Sequence, residues 1–187
     1  MKLFNIEVKA KYDDHDKARS ILKLHHADFK GTDHQIDTYF VVNCGRLKLR
    51  EGNIENHLVF YQREDKGGPK QSDIILFKSD PGSSLKEILL KSLKTLVVVD
   101  KQREIYFIEN VKFHIDTVRD LGTFVEIEAI SNDEVTDKEK LLEQCEKYLR
   151  LFGVLKDALI SVSYSDLLLN RVKTGSTDAA VSTKTCL

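Results

Sequence analysis

Long charged side chains recur at alternate positions in segments that otherwise read as β-strands. In residues 3–11, Asn5, Glu7, Lys9 and Lys11 alternate with Phe4, Ile6, Val8 and Ala10. Arg46, Lys48 and Arg50 alternate with Leu47 and Leu49. Lys112, His114 and Asp116 alternate with Phe113 and Ile115, and Glu126 and Glu128 with Val125, Ile127 and Ala129. Lys101 and Arg103 share one face of residues 97–109, and Arg63 closes another strand. Successive side chains of a strand point to opposite faces, so each segment has an ionic face and an apolar face. A solvated sheet face explains one such strand. It explains five less well, because Lys, Glu and Asp are poor strand formers. Three basic groups on one face of a six-residue strand also repel one another unless an anion lies among them. Basic side chains neutralise phosphate oxygens, and carboxylates hold hard cations such as Mg²⁺ or Mn²⁺. The chemistry on offer is the binding of a polyphosphate together with a divalent metal.

To bring these faces together the strands must close on themselves with the ionic faces inward. The candidates are residues 3–11, 34–42, 46–51, 57–64, 73–79, 97–109, 111–118 and 123–130. Turn signals separate them at Asn43 and Gly45, Gly52-Asn53, Gly67-Gly68-Pro69 and Gly122. A barrel of about eight strands has room for a small ligand. Its apolar outer faces would be covered by three helices: residues 14–27, a helix opened by Ser84 with Glu87 as its capping box, and a helix opened by Thr136 with Glu139. The expected fold is therefore α+β, mainly antiparallel, with an eight-stranded closed tunnel over residues 1–170. Residues 171–187 are rich in Thr, Ser and Ala without apolar periodicity and read as a flexible tail.

The chain has 187 residues, 41% hydrophobic and 32% charged, with 2 Pro and 9 Gly, which suits one domain with a proper core and excludes wholesale disorder. Lys and Arg total 29 against 30 Asp and Glu, so no global basic field exists to hold nucleic acid or an anionic membrane. Cys44, Cys145 and Cys186 are widely spaced, which supports neither a disulfide framework nor a zinc site and points to a reducing, cytoplasmic setting. The apolar runs are too short to span a bilayer, and charges come too early for a secretory signal. Gly67-Gly68-Pro69-Lys70 lacks the helix a P-loop needs, but as a loop at the tunnel mouth it would bring Lys70 to a phosphate. His114 reads either as a general acid or as a hydrogen-bonded structural residue. Tyr39 reads either as a stacking platform or as a packed strand residue.

The ordered set of segments resembles the CYTH superfamily, the triphosphate tunnel metalloenzymes, and within it the class IV adenylyl cyclase-like branch related to thiamine triphosphatase. The segments are Asn5-Ile6-Glu7-Val8-Lys9, Gln35 to Phe40, Gly45 to Glu51, Tyr61-Gln62-Arg63, Gly68-Pro69-Lys70 with Ser72, Lys101-Gln102-Arg103, His114-Ile115-Asp116, Leu121-Gly122, Glu126-Ile127-Glu128 and Ser163 to Leu168. The resemblance implies Mg²⁺ or Mn²⁺ on Glu7, Asp116, Glu126 and Glu128. It implies a phosphate cradle of Lys9, Lys11, Arg46, Lys48, Arg50, Arg63, Lys70, Lys101 and Arg103, with Glu7, Lys9, Asp116 and Glu128 at the reacting centre. The family's opening signature has a Glu where this chain has Asn5. The implied activity is conversion of ATP to cyclic AMP and pyrophosphate. The alternatives are a triphosphatase acting on an organic, thiamine-like or inorganic triphosphate, and a module that binds polyphosphate or nucleotide without turnover. A small-molecule triphosphate is the expected partner, with no nucleic acid or membrane, for a monomer or a homodimer.

Overall fold

The computed structural model describes residues 3–63, 69–131 and 138–175; of Leu3, Phe4, Arg63, Lys70, Gln71, Thr174 and Gly175 it describes the backbone alone. Eight strands form: β1 (Leu3–Lys11), β2 (Asp28–Phe40), β3 (Arg46–Glu51), β4 (His57–Arg63), β5 (Lys70–Lys78), β6 (Thr95–Ile108), β7 (Val111–Val118) and β8 (Gly122–Ile130). They close into an antiparallel barrel in the order β1-β5-β4-β3-β2-β6-β7-β8. Closure removes the sheet edges and gives every strand an inside and an outside.

The outsides are apolar where helices cover them. α1 (His15–Leu24) and α3 (Lys138–Phe152) pack on β1, β7 and β8. There Ile6, Val8, Phe113, Ile127 and Ala129 meet Leu22, Leu141, Cys145 and Phe152. Asp14 caps α1 by accepting from the Lys17 amide at 2.9 Å. α2 (Leu85–Ser92) lays Leu85 and Leu89 over Phe40, Leu47, Leu49 and Leu58. Ser84 precedes it in helical backbone geometry and makes no side-chain capping bond, so the expected capping box is not formed. The Thr136 cap expected for α3 lies outside the described residues. No described helix is long and apolar enough to cross a membrane.

Two elements differ from the sequence-based expectation. β2 begins at Asp28 and not at 34, because residues 28–33, which show no alternation of their own, pair with β6 from Asp28 opposite Phe107 to Asp33 opposite Arg103. The register shifts between Phe29 and Gly31, where Gly31 sits at φ +124°, a conformation that side chains with a Cβ rarely adopt. A fourth helix, α4 (Tyr164–Gly175), follows a short 3₁₀ turn at Lys156–Ala158. It runs into the stretch expected to be a tail; residues 176–187 lie outside the described residues. Its start is a capping box in which the Asp166 amide donates to Ser163 Oγ at 3.2 Å and the Ser163 amide donates to Asp166 Oδ2 at 3.0 Å. Leu167 and Leu168 then pack against the cluster of Tyr39, Val59, Val99 and Phe124.

Phe113 is 1% exposed and lies between Tyr148 and Phe152, with ring centroids 4.7 and 6.1 Å away. Phe113→Ala is expected to lower unfolding free energy by about 3–5 kcal/mol, read from the urea midpoint at unchanged slope. A loss under about 1 kcal/mol would show that the helix layer does not depend on this contact.

Candidate functional site

Barrel closure turns the ionic faces inward around a cavity of about 190 Å³. β1 contributes Asn5, Glu7 and Lys9; β8 contributes Glu126 and Glu128; β7 contributes Lys112 and His114. β6 adds Lys101 and Arg103, and β3 adds Lys48 and Arg50. Cross-strand register sets the neighbours. Glu7 lies opposite Glu128 and Lys9 opposite Glu126, while Lys112 and His114 face Glu128 and Glu126 from the other side.

Three ionic groups result. In the first, Asp37 of β2 accepts from Lys48 at 2.8 Å, from Arg50 at 2.8 and 2.9 Å, and from Lys101 at 3.3 Å. Burial opposes ionisation of Asp37, but Arg50, Lys101 and Lys48 outweigh it and hold its carboxyl well below the usual range. Lys101 shows the other side of this balance. Burial and the Arg103 guanidinium push its ammonium down to about 7 despite Asp37.

In the second group, Arg103 forks onto Asp116 at 2.7 and 2.5 Å and reaches Glu126 at 2.5 Å. Lys9 pairs with Glu126 at 2.9 Å. Tyr164, at the start of α4, donates its hydroxyl to Asp116 at 2.8 Å, and the Lys9 ammonium lies 3.9 Å from its ring centroid. His114 Nδ1 is 3.1 Å from Glu126. Burial and Arg103 push the His114 imidazole down to about 3, which disfavours the doubly protonated ring that a general acid would need. The structural reading of His114 is the one its surroundings support.

The third group comprises Glu7, Glu128, Asn5 and Lys112, with Glu55 from the loop between β3 and β4. Asn5 Nδ2 donates to Glu128, and Lys112 donates to Glu55. Burial raises the Glu128 carboxyl and Glu7 raises it further. Asn5 Oδ1 is buried without a hydrogen-bond partner.

Of the residues singled out from sequence, the cavity brings together Glu7, Lys9, Lys48, Arg50, Lys101, Arg103, Glu126 and Glu128. Asp116 is fully buried behind Arg103 and does not line the cavity. Arg46 sits at the α4 end, 3.0 Å from Asp166. Lys11 is exposed at the end of β1, in a surface groove with Tyr12 and Phe152, so it is not part of the tunnel wall. The side chains of Arg63 and Lys70 are outside the described residues. Sequence reasoning missed Asp37, Glu55 and Tyr164. Asp37 had a signal, since Asp33, Gln35, Asp37 and Tyr39 share one strand face; Glu55 on a loop and Tyr164 at a helix start had none from periodicity.

Among the described residues, no three His, Cys, Asp or Glu side chains converge on a point where a metal could sit. Asp116 and Glu126 are taken up by Arg103 and Lys9, which splits the four-carboxylate set expected from sequence. Glu7 and Glu128 remain opposed across β1 and β8, beside the partnerless carbonyl of Asn5. Two adjacent carboxylates and an amide oxygen form an all-oxygen donor set that suits a hard divalent cation, so the residues present fit a metal there.

A family model described as CYTH domain matches residues 3–163. The Methanocaldococcus jannaschii protein named "Putative adenylate cyclase MJ0240" is 29% identical over 181 residues, covering 88% of this chain and 98% of that one. Two solved archaeal structures share the fold. A conserved hypothetical protein of Pyrococcus furiosus superposes with a TM-score of 0.74 at 21% identity, over 87% of this chain and 99% of the other. The PH1012 protein of Pyrococcus horikoshii gives 0.71 at 25% identity, over 89% and 99%.

Tyr164→Phe removes the phenolic donor from a buried, charged acceptor. The expected cost is about 1.5–3 kcal/mol of stability, measured by urea unfolding. A change below about 0.5 kcal/mol would take Tyr164 out of the Asp116–Arg103 network.

Proposed function

Since the chain belongs to the CYTH domain family, whose tunnels handle triphosphates with a divalent metal, we propose that its tunnel is a metal-dependent active site for a nucleoside triphosphate, converting ATP to cyclic AMP and pyrophosphate. One observation carries this reading. Six cations, Lys9, Lys48, Arg50, Lys101, Arg103 and Lys112, line one cavity alongside the Glu7–Glu128 pair. An anion of high charge density is the ligand that such a wall stabilises.

In the cyclisation the ribose 3′-oxygen attacks the α-phosphorus. The new P–O bond forms as the bond to the β-phosphate breaks, and the 3′-hydroxyl proton passes to a water molecule. The chain's own part is positioning and charge neutralisation. Arg50 and Arg103 offer planar forks to phosphate oxygens, and Lys9, Lys48, Lys101 and Lys112 offer point charges that steady the departing pyrophosphate. Glu7 and Glu128, with Asn5, would hold the metal, which when bound supplies further neutralisation of the phosphate oxygens. The β4–β5 side of the cavity is different in kind. Val59, Tyr61, Ile74 and Leu76 form an apolar wall suited to an organic group. That wall favours a nucleotide over bare tripolyphosphate, and the name carried by the Methanocaldococcus jannaschii relative supports cyclisation.

The second reading is hydrolysis of an organic or inorganic triphosphate. The imbalance of the lining favours it: all six cations address phosphate, while Tyr39, Tyr61 and Ser72 are the main polar groups near the apolar wall. Incubation with ATP and with tripolyphosphate under Mg²⁺ and Mn²⁺, with product identification, separates the two. Cyclic AMP with pyrophosphate supports cyclisation; released phosphate supports hydrolysis. Thermal stabilisation by ligand without any product would leave a binding module and overturn the enzyme reading.

Glu128→Gln is expected to lower metal-dependent turnover about a hundredfold with the fold retained. An unchanged rate would remove Glu128 from the site. The depressed Lys101 makes binding proton-linked. The free tunnel loses the Lys101 proton as pH rises through about 7, and an entering anion draws it back. Above that pH, affinity for tripolyphosphate should fall by up to about tenfold per pH unit. Calorimetric titration between about pH 6 and 9 reads this, and Lys101→Arg, which stays charged, should flatten the profile. An identical profile in the variant would assign the dependence to another group.

A further inference from the structure

The connection between β3 and β4, residues 52–56, is built to deliver one carboxylate into the tunnel. Buried Asp33 of β2 accepts from the Ile54 amide at 2.8 Å, from the Glu55 amide at 3.0 Å and from Gln35 Nε2 at 2.7 Å. Gly52 passes so close to Asp33 that a Cβ there would stand 2.6 Å from its Oδ1, so only glycine fits. Asn56 closes the loop on Gly52, accepting its amide proton at 3.1 Å and donating to its carbonyl at 2.9 Å. So held, Glu55 projects back into the cavity. It accepts from Arg50 at 2.8 Å, from Gln35 at 3.1 Å and from Lys112.

The topology says which end this is. In an antiparallel barrel the β3–β4 loop lies at the end where β1 and β7 begin. α4 occupies the opposite end, tied to the start of β3 by Arg46 and Asp166. Glu55 thus stands at one end of the cavity and engages the two cations there, Arg50 and Lys112. Glu7 and Glu128 lie at the same end but on strands; Glu55 comes from the loop beyond them and takes both cations.

We propose that Glu55 is a specificity-determining stop: a fixed anion at one end of the cradle that limits the tunnel to short phosphate chains and rejects longer ones by like-charge opposition. The inference rests on the triphosphate reading of the cavity and deepens it by naming chain length as the property selected. Specificity here arises as much from a repulsive group as from the attractive ones.

The test is calorimetric binding of inorganic tripolyphosphate and inorganic tetrapolyphosphate, without added metal, to the full chain and to Glu55→Gln. The native protein should prefer tripolyphosphate by about tenfold or more. Glu55→Gln should gain affinity for both ligands, but about tenfold or more further for tetrapolyphosphate than for tripolyphosphate. Glu55→Asp keeps the charge and withdraws it by one methylene; it should fall between the two, and it carries the test if Glu55→Gln does not fold. An equal gain for both ligands would make Glu55 a mere counter-charge and overturn the stop, as would no gain at all. If the native protein binds neither ligand, the triphosphate reading fails and the stop with it. If it binds both and the variants leave their ratio unaltered, only the role of Glu55 fails.

Discussion

An ionised side chain enclosed by protein needs a counter-charge at hydrogen-bond distance, and that constraint organises this barrel. Removing an ion from water costs several kcal/mol even after relaxation, unless partners replace the lost hydration. Each of the six described cations lining the cavity meets the condition through a carboxylate: Lys48, Arg50 and Lys101 through Asp37, Arg103 through Asp116 and Glu126, Lys9 through Glu126, and Lys112 through Glu55. Because strand register decides which side chains lie opposite, the ionic pattern and the hydrogen-bonded ladder specify one another. A one-residue slip would turn a strand's charges out and its apolar residues in.

The same arrangement prepares the tunnel for an anion. Its cations are already desolvated and oriented, so an entering phosphate chain displaces carboxylates instead of ordering flexible side chains, and preorganisation of that kind lowers the cost of binding and of transition-state stabilisation. Two carboxylates differ from the rest. Glu7 and Glu128 face each other, and burial together with Glu7 lifts the Glu128 carboxyl, whereas Asp37 and Glu126 are held down by their basic partners. A site where like charges are pushed together is where a cation has most to gain, and it lies at the opposite end of the barrel from α4.

The helices serve the barrel unequally. α1, α2 and α3 cover its apolar exterior and hold it closed. α4 reaches the interior through Tyr164, whose hydroxyl braces Asp116, which in turn fixes the Arg103 fork. The residues nearest the cavity are thus held from outside the sheet as well as from within it.

Much of this was legible in the chain. Period-two alternation in β1, β3, β6, β7 and β8 marks the ionic and apolar faces, and it grouped Glu7, Lys9, Lys48, Arg50, Lys101, Arg103, Glu126 and Glu128, which the cavity brings together. Alternation is local, so it is visible without coordinates. It reports which face a residue shares and not how far along the tunnel it lies, which is why Lys11 and Arg46 were grouped with a wall they do not form and Asp116 was placed with the metal-side acids instead of behind Arg103. Residues 28–33 became a strand only because β6 supplied partners. Asp37, Glu55 and Tyr164 come to the cations from a different strand, a loop and a helix, and no spacing in the chain records those meetings. The sequence by itself determined the two-faced strands and the kind of ligand their charges suit. Only the closed tertiary structure decided which acid neutralises which base, because that pairing depends on distances across the barrel between residues far apart in the chain.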